Sequence, residues 1–380
     1  MAVRQRWVFL AISVAVIIGV VALASGAAGG TGRGVYRLMA VFGQVVSLVR
    51  SSYVEEVPIE RLELGAMGGL VEAADPGGQW VPDDVAAEYA RVRARALPPF
   101  GMVLGKRSSY PFVLQVIAES AAAKAGIVPG ELIERVGSEP VRARPLWRAL
   151  LLLDAAERNT GAASLDVIDR QLAGKRPVEL KSTPFPAPGA ATEVRNGIVV
   201  ARLAMVDSAG ASKLAQSLEA GATAPGIVVD LRGVALGTPD GAAEAACQIV
   251  GGDSELRMEM RGGKSETLKA RGPSRTWKVV VCLDSTTAGS AELLAGLLKA
   301  RGATLVGGES YGDTGQRRPM KGAGGEAWLA VEWGVAPGGN PLLGTGLKPD
   351  ERIRSRKEVD AVLERALELA GGVTVVKQAA

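Results

Sequence analysis

The sequence predicts an α/β protein with a parallel sheet in its C-terminal half, and three observations predict it. From Glu193 onward, strand-like and helix-like runs alternate. The strand segments GIVVARLA (197–204), GIVVDLR (226–232), KVVVCLD (278–284) and ATLVGG (303–308) are continuously apolar, as strands covered on both faces are. Segments of helical length lie between them, near 208–221, 238–250 and 289–301.

Arg4 and Arg6 precede an apolar run from Trp7 to about Ser25, long enough to cross a bilayer as one helix. Positive charge ahead of the run leaves the N-terminus in the cytoplasm and sends the rest of the chain outward. The expectation is a single-pass protein of the cytoplasmic membrane, anchored through residues 1–30, with its functional domains on the periplasmic side. The small-residue stretch Ala22 to Ser25 also suits signal peptidase, so a retained anchor and a cleaved signal both stay open, the anchor being preferred. A glycine-rich linker, Gly26 to Gly34, follows.

Residues 31–97 read as a helical segment. Leu38, Val41, Val45, Leu48 and Val49 recur at helical spacing over 35–53. A second helix runs from Ile59 to Ala74 and stops at Asp75-Pro76-Gly77-Gly78. A third runs from Asp83 to Ala96 and ends at Pro98-Pro99. Residues 98–182 change pattern to short apolar strands, turns and two short helices. The proline-rich stretch Pro184 to Gly189 is a linker. The α/β core spans 190–354, and residues 355–380 hold a C-terminal helix, expected from Ser355 to Ala370, and a tail.

Composition excludes several chemistries. The chain has no histidine, so neither a Ser-His-Asp or Cys-His site nor a histidine-ligated zinc site is possible. Its 44 basic and 40 acidic side chains give a net charge of +4 and no concentrated basic face, so no nucleic-acid partner is expected. Asp230, Asp240 and Asp313 sit in different loops without ligand spacing, so no metal is expected, and no cofactor. Cys247 and Cys282 lie in apolar surroundings and read as buried thiols. A disulfide between them stays open.

Two groups of motifs carry chemistry. The first is Pro99-Phe100-Gly101-Met102 followed by Ser120-Ala121-Ala122-Ala123-Lys124-Ala125-Gly126-Ile127 and Gly130-Glu131-Leu132-Ile133. This combination resembles a PDZ domain of the bacterial protease type. Phe100, Gly101 and Met102 match its carboxylate-binding loop. A glycine turn there aims successive N–H groups at one point, suiting a peptide's terminal carboxylate, while the peptide adds as a strand to the sheet edge.

The second group is Asp230-Leu231-Arg232-Gly233 with Leu236-Gly237, then Thr286 to Glu292, then Gly307 to Gln316, then Gly344 to Asp350. In this order, with Tyr53-Val54-Glu55-Glu56-Val57 and Ala74-Asp75-Pro76 ahead of them, they resemble the C-terminal processing (tail-specific) serine peptidases. The resemblance runs from about residue 40 to about 353. It implies a crotonase-like core preceded by an inserted PDZ domain, and a serine nucleophile activated by a lysine base. Such a base works because a desolvated lysine has a lowered pKa.

The decisive positions depart from that pattern. The family's serine falls three residues before a glutamate. Here the glutamate is Glu292 and the position is Gly289, with Ser290 one place late. One residue at a helix start turns a side chain by about 100°. The family's lysine follows an aromatic-glycine pair, here Tyr311-Gly312, and the next residue is Asp313, a weak base toward a serine hydroxyl. Gln316 lies one position early for the accessory glutamine. Gly237 keeps the second glycine of the loop that supplies an oxyanion-hole N–H, and Leu236 replaces the first. Shifting the alignment by one would make Ser290 the serine without supplying a base, since no lysine falls between Lys299 and Lys321, and Lys321, in a loop expected from Arg317 to Gly324, would have to fold back to form a dyad with Ser290. Glu292 reads as a helix cap and Arg232 as the partner of a carboxylate near the sheet end.

The expectation is therefore a peptidase-like envelope protein that recognises protein C-terminal tails or extended segments, has lost hydrolysis, and assembles with itself or with an active relative. The alternative is an active serine endopeptidase using Ser290 with an unorthodox base.

Overall fold

The computed structural model describes residues 31–219, 224–353 and 360–371. The apolar run from Trp7 to Ser25 lies outside them. Among the described residues no helix is long and apolar enough to cross a membrane. The chain divides into two compact units, residues 1–66 and 67–380. The first holds helix α1 (Thr31–Ser52) and the start of α2 (Ile59–Ala74). Tyr36, Leu38, Val41, Val45 and Leu48 of α1 are exposed.

The second unit is mixed α/β and contains three sheets. Its centre is a six-stranded sheet of β8 (Ala190–Arg195), β9 (Ile198–Leu203), β10 (Gly226–Asp230), β13 (Lys278–Leu283), β14 (Thr304–Gly307) and β17 (Glu351–Arg352), in the order β17-β14-β13-β10-β9-β8. All neighbours are parallel except β8 with β9. The continuous apolar pattern follows from two covered faces. Val199, Val229, Val281 and Leu305 pack under α6 (Ser208–Glu219), α7 (Pro239–Val250) and α8 (Ser290–Ala300). Val200, Val228, Val280, Cys282 and Val306 pack under α9 (Ala361–Gly371) through Val362, Leu363, Ala366 and Ala370. Successive residues of a strand point to opposite faces, so every position is buried. Cys247 and Cys282 are both free and buried.

A second, antiparallel sheet has no counterpart in the sequence reading. It joins β1 (Gln79–Pro82), β11 (Gly252–Met260), β12 (Ser265–Gly272), β15 (Gly315–Gly322) and β16 (Gly325–Val335). The stretch from Arg317 to Gly324, expected as a loop, is most of β15 and the tight turn into β16, with Gly324 at φ +80°. Strands such as β12 carry charges on nearly every other residue and one solvated face, so no apolar run announces them. This sheet packs on the side of α8 away from the parallel sheet. A Cβ on Gly334 of β16 would lie 2.6 Å from Leu293, so the helix is enclosed and Ser290 to Leu298 are all buried.

The third sheet, over residues 102–181, has the order β2-β3-β4-β6-β7 with β5 beside β4: β2 (Met102–Arg107), β3 (Tyr110–Val116), β4 (Leu132–Val136), β5 (Glu139–Pro140), β6 (Ala162–Ile168) and β7 (Lys175–Lys181). Helices α4 (Ala121–Lys124) and α5 (Leu146–Asn159) accompany it, and α3 (Asp83–Arg93) precedes it. Ser120 caps α4 by accepting the Ala123 N–H. Strand β2 is the sheet's end strand.

Candidate active-site cleft

Three loops leave the C-terminal ends of neighbouring strands: 231–238 after β10, 284–289 after β13 and 308–314 after β14. Loops there are where open parallel sheets place their sites. Here they are stitched together. Thr287 donates its hydroxyl to Leu231 O at 3.0 Å, Ala288 N–H donates to Val234 O at 2.9 Å, and Tyr311 N–H donates to Thr287 O at 2.9 Å.

Between these loops and the end strand β2 lies a cavity of about 380 Å³. Gly237, Gly289, Ser290, Asp313 and Gln316 line one side of it, and Met102, Val103 and Leu104 the other. The structure thus brings together residues from three of the four motifs in the core and from the glycine loop. Lys321 is not among them. It sits on β15 beside Glu326, five residues beyond Gln316, and is exposed, because the segment is a strand that carries it away at about 3.3 Å per residue. The charged side chains lining the cavity are Arg93, Arg95, Asp313 and Arg317, with no lysine.

Gly289 stands at the N-terminus of α8 with φ +61° and ψ −125°, a conformation an L-residue adopts only under strain. Space is not what keeps it a glycine. A Cβ there would meet only Ala235 O at 3.4 Å and Asp313 O at 3.7 Å, ordinary contact distances. Ser290 is buried beside Gly237, whose added Cβ would lie 3.0 Å from Ser290 Cβ. Among the described residues, neither the Gly237 N–H nor the Ser290 N–H has a hydrogen-bond acceptor, and both residues line the cavity. The neighbouring amides are taken: Gln115 of β3 accepts Ala235 N–H at 2.9 Å and Leu236 N–H at 3.0 Å.

Glu292 organises this end of the helix. Its Oε2 accepts the Gly289 N–H at 3.1 Å and the Asp313 N–H at 2.8 Å, and its Oε1 accepts the Gly312 N–H at 2.7 Å and the Ser310 hydroxyl. Complete burial pushes its carboxyl up to about 7 against the pull of these donors. The Asp313 side chain does not face a serine. It pairs with Arg317 at 2.7 Å, and Arg317 clamps Asp75 through two further bonds of 2.8 and 2.6 Å. Burial raises the Asp313 carboxyl while Arg317 draws it down. Arg232 pairs with Asp230 and Asp360 at the sheet end, at 2.7 Å each.

Sequence reasoning missed Glu157, Gln115 and Arg317. Each meets its partner across a separation in the chain or across domains that no local pattern encodes. The expectation for the glycine loop needs correction. Phe100 (φ +52°) and Gly101 (φ +76°) form a closed 3₁₀ turn, and its amides do not point outward together. Phe100 N–H donates to Glu157 Oε1 at 2.7 Å, Gly101 N–H to Pro98 O at 3.0 Å, and Met102 N–H to Pro99 O. A cavity of about 460 Å³ at the strand ends is lined by Arg107, Arg170, Arg232 and Arg352 among others, and of the sequence-predicted site residues Gly237, Gly289, Ser290, Asp313 and Gln316 it contains none.

The site is thus a cleft between the start of α8 in a parallel α/β core and strand β2 of the small sheet domain. Residues 198–353 match the family model described as peptidase family S41, and the chain is similar to proteins named carboxy-terminal processing proteases. It is 22% identical over 275 residues to the carboxy-terminal processing protease CtpA of Bacillus subtilis (strain 168), covering 70% of this chain and 58% of that protein. It is 23% identical over 321 residues to CtpB of the same organism, covering 81% and 66%. The chain thus spans 58 to 66% of the length of these relatives. Its fold is similar to that of the photosystem II D1 C-terminal processing protease, with a TM-score of 0.64 at 19% identity over 85% of this chain and 90% of that one.

Proposed function

We propose that this protein is a peptidase-like envelope protein that holds protein tails or extended segments in the cleft between β2 and α8 and does not hydrolyse them. In this reading, residues 98–182 act as a PDZ-type domain, residues 190–354 as a crotonase-like core, and the N-terminal apolar run tethers the chain to the outer face of the cytoplasmic membrane. The relatives' names support polypeptide termini as the ligand class. The observation that carries the loss of hydrolysis is the cleft itself. At the position where the family pattern places its serine stands Gly289, and at the lysine position stands Asp313, committed to Arg317 at 2.7 Å. Among the described residues no lysine lines the cavity. A general base needs to reach the nucleophile's proton, and none of the lining groups is a neutral amine or imidazole.

The test is cleavage of an unfolded reporter bearing a free C-terminal tail by the full chain, with Ser290→Ala as control. The expected result is no cleavage by either protein together with measurable binding of the reporter. Cleavage that disappears in the control would replace this reading with an active serine endopeptidase built on Ser290.

A further inference from the structure

Pro99 and Met102 of the glycine loop line the cleft, and the loop's donors are already spent. Phe100 N–H donates to Glu157 Oε1 at 2.7 Å, and the next two amides close onto Pro98 and Pro99. Glu157 is not a passing surface residue. It lies in the last turn of α5, only 13% exposed, and its other oxygen accepts from Arg95 at 2.6 Å. Arg95 is fixed in turn by Asp154 at 2.7 Å and by Leu97 O at 3.1 Å, and Asp154 is fully buried among Arg91, Arg95 and Arg158. One carboxylate oxygen on a loop amide and the other on a guanidinium is the arrangement a peptide's terminal carboxylate would make at such a loop.

We propose that Glu157 is the specificity-determining side chain of this cleft: it takes the place of a ligand's terminal carboxylate, so the cleft binds an extended segment whose own carboxylate it does not read. The inference rests on the polypeptide-binding reading above and names its ligand more closely. A second carboxylate brought to the loop would find no free amide and would stand against the charge of Glu157. Away from the loop, the edge of β2 offers backbone to a chain. Lys106 of β2 turns its N–H and C=O to the outer edge, where both meet Tyr311 Oη at 2.8 Å. Leu104, two residues earlier, turns its own N–H and C=O to that same edge, where a strand can add. Leu104, Leu114 and Leu150 give the lining an apolar stretch beside the charged groups Arg93, Arg95, Asp313 and Arg317.

The experiment measures binding of one fluorescein-labelled peptide pool of alternating apolar sequence, prepared with a C-terminal acid and with a C-terminal amide, to the full chain. The expected result is that wild type binds the two forms within about twofold. Glu157→Ala frees the Phe100 amide and the Arg95 Nη2 group and shifts the preference toward the acid by roughly tenfold, the worth of one charge-assisted bond. Glu157→Gln keeps an acceptor for Phe100 and stays within about threefold of wild type. A wild type that prefers the acid tenfold or more overturns the inference, as does an alanine variant with an unchanged ratio. The wild-type comparison needs no variant, so a misfolded alanine protein would not shelter the idea. If neither form binds, the polypeptide-binding reading fails and the inference falls with it.

Discussion

Gly289 and Asp313 hang from one oxygen: Glu292 Oε2 accepts the backbone N–H of the first at 3.1 Å and of the second at 2.8 Å. The two positions are therefore held together through their own backbone amides on the Glu292 carboxylate, whatever side chains they carry. That separates the frame of the cleft from its chemistry. The frame persists while the residues at its two key positions are a glycine and an ion-paired aspartate.

Gly289→Ser is the direct probe of that separation. The site has room for the new Cβ, but φ at +61° is strained for a serine. The variant is expected to lose about 1–3 kcal/mol of stability by urea denaturation and to gain no turnover of the tailed reporter, for want of a base. Hydrolysis by this single variant would show that a base is already present in the cleft.

The Arg317 guanidinium joins Asp75 and Asp313, and Asp75 also accepts the Ala330 N–H at 2.8 Å. The Arg317 and Asp75 side chains are 9% and 4% exposed, so neither charge can turn to water if its partner is lost. Arg317→Met is expected to destabilise the fold by about 3–5 kcal/mol, since it strands two carboxylates, and Asp75→Asn by less, since Arg317 keeps Asp313. Urea midpoints of the two variants check both the size and the order.

The parallel core was legible because its strands are apolar on both faces: Val199 and Val200 are both buried, on opposite sides. Helix α8 was legible through its cap, Glu292, three residues from a glycine. The antiparallel sheet was not, because β12 and β15 are largely exposed and carry charge, so no apolar run marks them. At the site, Gly289, Asp313 and Gly237 could be placed by motif. The closed state of the glycine loop could not, because it depends on Glu157, 57 residues further along and brought there by the packing of α5.

Tyr311 ties the small sheet domain to the core. Its hydroxyl donates to Lys106 O and accepts from Lys106 N, both at 2.8 Å, and its ring stacks on Phe112. Gly105 permits this, since a Cβ there would lie 2.7 Å from that hydroxyl. Tyr311→Phe leaves a backbone donor and acceptor unpaired and is expected to cost about 1–3 kcal/mol. Hydrogen exchange at Lys106 is expected to rise by roughly an order of magnitude, with exchange in the parallel core unchanged. Gly105→Ala is expected to raise the same amide's exchange by pushing the phenol away.

The pH dependence of stability rests on Glu292. Burial holds its carboxyl at about 7 in the folded protein against 4.5 as an ordinary glutamate. Between those values the folded chain keeps a proton that the unfolded chain releases, so stability falls as pH rises. The contribution is fully present below about 4.5 and is lost as pH climbs through 7. One proton limits the slope to about 1.4 kcal/mol per pH unit. The chain has no histidine, so no imidazole titration overlies the window from pH 5 to 8. Urea midpoints are expected to rise as pH is lowered across it, and Glu292→Gln, which cannot titrate, to flatten the profile. A wild-type profile that is already flat would mean that the four donors hold the carboxylate ionised throughout, and that the loop from Ser310 to Asp313 is anchored by a permanent charge.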